Sequence, residues 1–178
     1  MENRSIQFVT CTYESHAGEI LDIFNEAILN STALYEYQPR TMENMRDWFG
    51  DKLLGSFPVL GAIDPQGKLL GFATYGAFRA KPAYKYSVEH SIYVHRDYRC
   101  QGLGRSLMQQ LITAARQQQY HVMIAAIDIN SRGSLALHES LGFVYGGTLK
   151  QVGFKFGQWL DLALYQYVLD TPDRPVDG

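Results

Sequence analysis

Residues 99–106, RCQGLGRS, hold two glycines and two arginines between a strand-like segment and an amphipathic helix pattern. A helix that begins there offers unpaired N–H groups and the positive end of its dipole. Gly102 and Gly104 carry no Cβ, so the backbone can approach a ligand closely, and Arg99 and Arg105 add positive charge at the rim. The turn therefore suits a pyrophosphate, although a glycine pair alone does no more than start a helix. A P-loop needs Lys and Ser or Thr directly after its last glycine, whereas Arg105 and Ser106 follow Gly104. A dinucleotide fingerprint needs a third glycine where Leu107 stands, and Asp128 at the end of the next strand supports it only weakly. Upstream, Glu89 interrupts an otherwise apolar strand. A carboxylate there either accepts a proton or pairs with a cation such as Lys81 or Lys85.

The elements that must hold these residues follow from hydrophobic periodicity. Residues 86–95, YSVEHSIYVH, alternate: Val88, His90, Ile92 and Val94 fall on one face, Glu89, Ser91 and Tyr93 on the other. After the turn, Leu103, Leu107, Met108, Leu111, Ile112 and Ala115 form a helical stripe running to about Gln119, and HVMIAAI follows as a buried strand. Strand, crossover helix and strand make a βαβ unit, so residues 88–127 should contain a parallel pair. Before it, SIQFVTCT reads as a strand, Ile20 to Ile28 as a helix, Met42 to Leu54 as a second helix, and FPVLGAID with KLLGFATYGAF as a hairpin. After it come a helix from about Ser131 to Leu141, stopped at Gly142, and strands near 143–151 and 159–169. The fold class is α/β, or α+β in some schemes, with a mixed sheet of about seven strands flanked by helices.

At 178 residues and 46% hydrophobic content, the chain fits one domain over 1–170, with TPDRPVDG at 171–178 as a disordered tail. A net charge of −2 with interspersed signs argues against nucleic acid and anionic lipid as partners. VMIAAI is far too short to span a bilayer, which takes about 20 residues. Cys11 and Cys100 make no disulfide framework, and MENRSIQF lacks the apolar core of a signal peptide, so the expected compartment is the cytoplasm. No His, Cys or acidic cluster has metal-ligand spacing, and a metal-free protein is expected.

RCQGLG matches the Q/R-x-x-G-x-G/A signature of the GNAT superfamily of N-acetyltransferases. FNEAILNSTA, YGAFRAKPAYKYSVEHSIYV, HVMIAAID and VGFKFGQWLDL look like segments of its phosphinothricin and methionine sulfoximine acetyltransferase subgroup, over roughly residues 5–169. The resemblance implies the GNAT fold, acetyl-CoA as cosubstrate, a small amino acid-type acceptor and a homodimer. It implies that backbone groups of Ile92, Tyr93 and Val94 bind the pantetheine arm, and that the amides of Cys100, Gln101, Gly102, Leu103, Gly104 and Arg105 hold the pyrophosphate. The pantetheine-capping Asn of the family falls at Ser131, with Asn130 one residue early. Glu89 becomes the base that frees the amine, and His138, where most of the superfamily has Tyr, the donor to the leaving thiolate or else a packing residue. Phe78, Arg79, Lys81 and Tyr84 of the FRAKPAY loop, with Tyr35 and Glu36, become substrate contacts, the cations suiting a carboxylate or phosphinate. Two other readings stay open: a different acceptor such as a protein N-terminus, and a silent acyl-CoA-binding module.

Overall fold

A computed structural model of the chain describes residues 6–177. Ser5, at the start of the expected first strand, and Gly178, at the end of the expected tail, lie outside them. The elements run β1 (Gln7–Thr10), α1 (Tyr13–Asn30), α2 (Met42–Leu54), β2 (Val59–Ile63), β3 (Leu69–Ala77), β4 (Ser87–Val94), α3 (Leu103–Gln117), β5 (Val122–Asp128), α4 (Arg132–Ser140), β6 (Val144–Lys155) and β7 (Gln158–Val168). The strands form one seven-stranded sheet in the order β1-β2-β3-β4-β5-β7-β6. Every pairing is antiparallel except β4 with β5, the parallel pair that the βαβ pattern demands.

Helices cover both faces, each for a reason visible in its own residues. Thr12 caps α1 through the Ser15 amide, and Thr41 and Asn44 form a reciprocal capping box on α2. Ile20, Ile23 and Phe24 of α1 and Met45 and Phe49 of α2 then pack on Phe72 of the sheet. On the opposite face all six residues of the α3 stripe are buried, against Val88, Met123 and Ala125 among others. Each fully buried Leu or Met there is worth about 2 kcal/mol of removed apolar surface. The two faces of β4 divide as its alternation predicts, Tyr93 packing toward α1 and α2, Val88, Ile92 and Val94 toward α3.

The last hairpin differs from its expected bounds. β6 continues to Lys155 rather than stopping near residue 151. Its register breaks between Leu149 and Gly153, and the extra residues of this irregularity interrupt the alternation that marks a strand. Phe156 and Gly157 both have positive φ, as a two-residue turn of mirror-image type requires. At the other end of the sheet, the residues expected to form a disordered tail have partners: the Thr171 hydroxyl donates to the Tyr120 carbonyl, the Thr171 carbonyl meets His121 Nδ1, and the Val176 amide donates to the Tyr86 hydroxyl.

Candidate active site

The parallel pairing of β4 and β5 lasts three residue pairs and ends at Glu89↔Ile124. Beyond that point β4 stays with β3, as far as Val94↔Gly71, while β5 follows β7, as far as Asp128↔Leu162. The strands fork, and β4 presents one unpaired edge from His90 to Val94. A cavity of about 310 Å³ occupies the fork. It is lined by Glu89, Ser91 and Tyr93 from one face of β4 and by His90 and Ile92 from the other, so it passes through the sheet. Thr32 to Tyr35 wall it on the α1 side, Ser131, Ser134 and His138 on the α4 side.

Glu89 stands at the apex of the fork. Its carboxylate opens to the cleft, yet the surrounding walls strip water from it and raise its pKa above the usual carboxylate value, with Arg79 acting weakly in the opposite direction. None of the ion pairs among the described residues includes Glu89. The alternative role of this carboxylate, pairing with Lys81 or Lys85, is therefore not realised.

The glycine turn before α3 has the backbone its glycines allow. Cys100 and Gly102 take positive φ, 60° and 81°, which lets the chain reverse and enter α3 with no side-chain cap. The amides of Leu103, Gly104 and Arg105 precede the first intrahelical bond and meet no acceptor among the described residues. These unmet donors, beside a glycine pair and at the open end of the fork, fit a ligand with a pyrophosphate and an extended arm. Of the rim arginines, Arg105 reaches Ser140 at 2.6 Å, while Arg99 is paired with Glu26 at 2.6 Å and brings less free charge than its place in the sequence suggests.

Histidine geometry decides the other wall. His138 Nδ1 lies 2.7 Å from the Ser134 carbonyl, which can only accept, so Nδ1 carries the proton. His138 Nε2 lies 3.0 Å from His90 Nε2, and in a neutral pair the latter donates. The rings stack at 5.0 Å and 12°, and His90 Nδ1 is buried without a partner. Both nitrogens of His138 are engaged, and it has no free N–H for a leaving thiolate. The end of α4 fixes this arrangement: Gly142, with φ 93°, and Phe143 return their amides to Glu139 and His138 in a Schellman turn.

Burial pushes the His90 pKa down to about 3, the adjacent imidazole adding to the effect, and burial lowers that of His138 as well. An unfolded chain titrates its histidines near pH 6.5, so it binds more protons than the native state at any pH between there and the depressed native values. The contribution of this pair to stability is complete above pH 6.5 and is lost as the solution is acidified, by about 1.4 kcal/mol per pH unit for each such proton. The melting temperature should drop between pH 7 and pH 4.5, and drop less in His90→Gln. Equal slopes in the two proteins would mean that the pair does not sense acid.

Of the residues expected at the site, Glu89, Ile92, Tyr93, Ser131, His138 and Tyr35 line the cavity. Asn130 is exposed and does not, so of the two it is Ser131 that faces the cavity. Glu36 spends both carboxylate oxygens on Arg40. Phe78, Arg79, Lys81 and Tyr84 sit on the β3–β4 loop outside the cavity lining, with Arg79 over the Phe78 ring and Phe78 edge-on to Tyr84. Sequence reasoning misses the places of His90, Ser91, Ser134 and Asp128 in the lining, the last with its Oδ2 buried and unpartnered. His90 and Ser91 carry a signal, polar side chains on an apolar strand, whereas nothing in the chain marks Ser134 or turns Asp128 toward the cavity.

An unpaired strand edge, a helix start with free amides and a carboxylate at the fork together suit an extended pyrophosphate ligand lying beside a proton acceptor. The chain belongs to the acetyltransferase (GNAT) family, whose model matches residues 20–143. It is 44% identical over 151 residues to an L-methionine sulfoximine/L-methionine sulfone acetyltransferase of Pseudomonas aeruginosa, covering 85% of this chain and 88% of that one. A solved structure from Acinetobacter baylyi ADP1, described as an acetyltransferase, superposes with a TM-score of 0.98 at 52% identity over 100% of this chain and 99% of that one. A GNAT superfamily phosphinothricin acetyltransferase from Sinorhizobium meliloti, solved in complex with acetyl-CoA, gives 0.89 at 33% identity over 93% and 89%. Among the described residues, no helix is long and apolar enough to cross a membrane.

Proposed function

We propose that the protein moves the acetyl group of acetyl-CoA to the α-amino group of a small amino acid analogue of the methionine sulfone, methionine sulfoximine or phosphinothricin kind. The observation that carries this reading is the through-sheet cavity with Glu89 at its apex, combined with relatives of that named activity. Acetyl-CoA supplies a thioester carbonyl as the electrophile. The free edge of β4 at Ile92 and Val94 would hold its arm as an added strand, while the backbone of Tyr93, between them, is turned to β3, and the amides from Cys100 to Arg105 would hold its pyrophosphate. Ser131 closes the α4 side.

The acceptor arrives as an ammonium, which has no lone pair. Glu89 takes its proton, directly or through one water, and its raised pKa brings it closer to the working pH, where a base is most effective. The amine nitrogen then bonds to the carbonyl carbon, the Ile92 amide donates to the carbonyl oxygen, and the carbon–sulfur bond breaks. The attacking nitrogen gives up its second proton to water in the cleft and the departing sulfur takes one from that water, since His138 is tied to Ser134 and His90. Arg79 and Lys81 on the neighbouring loop supply positive charge for the acceptor's carboxylate or side-chain oxyanion. Tyr35 forms the facing wall.

Supporting a homodimer, the edge strand β6 and its partner expose Tyr145, Val152, Phe154 and Trp159, apolar surface that a second copy would cover. Sedimentation would then report twice 20.2 kDa. The function is tested by following thiol release from acetyl-CoA with methionine sulfone, phosphinothricin and a peptide panel. Turnover is expected with the amino acid analogues. Turnover on peptides alone, or on no amine, would overturn the assignment.

A further inference from the structure

The wall of the cavity formed by Thr32 to Tyr35 belongs to no helix or strand, yet it is held by an element far away in sequence. Lys155, at the end of β6, is 3% exposed, and its ammonium donates to the carbonyls of Ile28 at 2.7 Å, Ser31 at 2.9 Å and Leu34 at 2.6 Å. An ammonium has three protons, and all three are used. Ile28 and Ser31 belong to the last turn and cap of α1, where carbonyls lack helical partners and the dipole is negative. The Tyr37 hydroxyl donates to the Phe154 carbonyl at 2.6 Å. Between these ties the Tyr35 ring lies directly on Gly153: a Cβ there would stand 2.6 and 2.8 Å from two ring carbons. The strand irregularity before Gly153 is itself clipped to β7, the Gln151 amide and Lys150 ammonium both bonding to Asp161.

We infer that Gly153 and Lys155 are positioning residues that set the width of the acceptor side of the cleft, Lys155 by anchoring the loop and Gly153 by giving the Tyr35 ring room to lie back from the cavity. The inference rests on the acetyltransferase reading and adds to it a specificity element that touches neither substrate. Any side chain at position 153 drives the ring away from β6 and toward the acceptor, so the site narrows while the acetyl-CoA edge of β4 is left alone.

The test compares Gly153→Ala, Tyr35→Ala and the double variant, with steady-state constants for both substrates. Gly153→Ala should raise the acceptor KM by about fivefold or more and leave kcat and the acetyl-CoA KM within about twofold, the pattern of lost uniform binding. In the Tyr35→Ala background, adding Gly153→Ala should change the acceptor KM by less than about twofold, because the group it pushes is gone. Independent, multiplying effects would overturn the inference, as would an unchanged acceptor KM in Gly153→Ala. Lys155→Met should speed hydrogen exchange of the amides of residues 31–37 relative to those of α3; uniform exchange would remove Lys155 from the device. Wild-type turnover of methionine sulfone is measured first, and its absence takes down the assignment of function alone. Crystals of Gly153→Ala read the position of the Tyr35 ring without any turnover, and a ring left in place sinks the inference whatever the activity.

Discussion

Glu89→Gln should lower kcat/KM for the acceptor at neutral pH by about a hundredfold to ten-thousandfold, the range of a positioned general base. Gln keeps the size and a hydrogen-bonding oxygen but cannot take a proton. The carboxylate sits at the last residue pair shared by β4 and β5, so both strands fix its backbone, and no ion pair among the described residues competes for it. Its raised pKa adds a second signature. The active form is the ionised one, so wild-type kcat/KM should climb with pH through a midpoint above the ordinary carboxylate range and then level. In the variant that climb should vanish, while the affinity for acetyl-CoA stays within about twofold because Glu89 makes no part of the pyrophosphate turn. A variant with the same pH profile and activity within about fivefold of wild type would put the base elsewhere.

Gly104→Val should weaken acetyl-CoA binding by about tenfold or more, which corresponds to about 1.4 kcal/mol, with the acceptor KM nearly constant. Gly104 lies inside α3 and its φ is not positive, so strain is not the cause. The Cβ itself is the obstacle: it would stand 3.2 Å from Leu137 Cδ2 and 3.9 Å from Ile92 Cδ1, on the side where α3 faces α4 and the free edge of β4. Two further methyl groups would cover the amides that have no other acceptor. Gly104→Ala separates the effects, since alanine favours a helix by up to about 1 kcal/mol over glycine. It should hold or raise the melting temperature and still cost affinity. Calorimetric titration of coenzyme A reads both variants, and affinities equal to wild type would remove the turn from the pyrophosphate site.

The frame around these two residues is legible in the chain because local periodicity produces it. The alternation of β4 and the six-residue stripe of α3 are set by nearest neighbours, and the parallel pair follows from their order. The glycine turn and Glu89 are legible for the same reason: each contrasts with its own flanks. What sequence hides is long-range. His90 looks like a packing histidine until its partner, 48 positions away, is in place. That same contact occupies His138, so a residue whose place in the chain suits proton donation has both nitrogens engaged. Spacing does not separate Ser131 from Asn130, because one residue at a helix start decides which side chain faces the cleft. Lys155 reads as a surface cation in a hairpin, and only the loop 121 to 127 residues earlier reveals it as an anchor.

A sheet ordinarily separates two compartments of a protein, and here it has a slot. Side chains from both faces of β4 line one cavity, so a donor and an acceptor held as proposed would have different doorways and different addresses in the gene. On the function proposed above, the acyl donor takes the segment from Ile92 to Arg105 and the acceptor takes residues 32–35 with their supports at Gly153 and Lys155. A change in the second group need not disturb the first. The range of amines such a protein accepts can therefore drift, in a lineage or in a library, while its commitment to one thioester is kept.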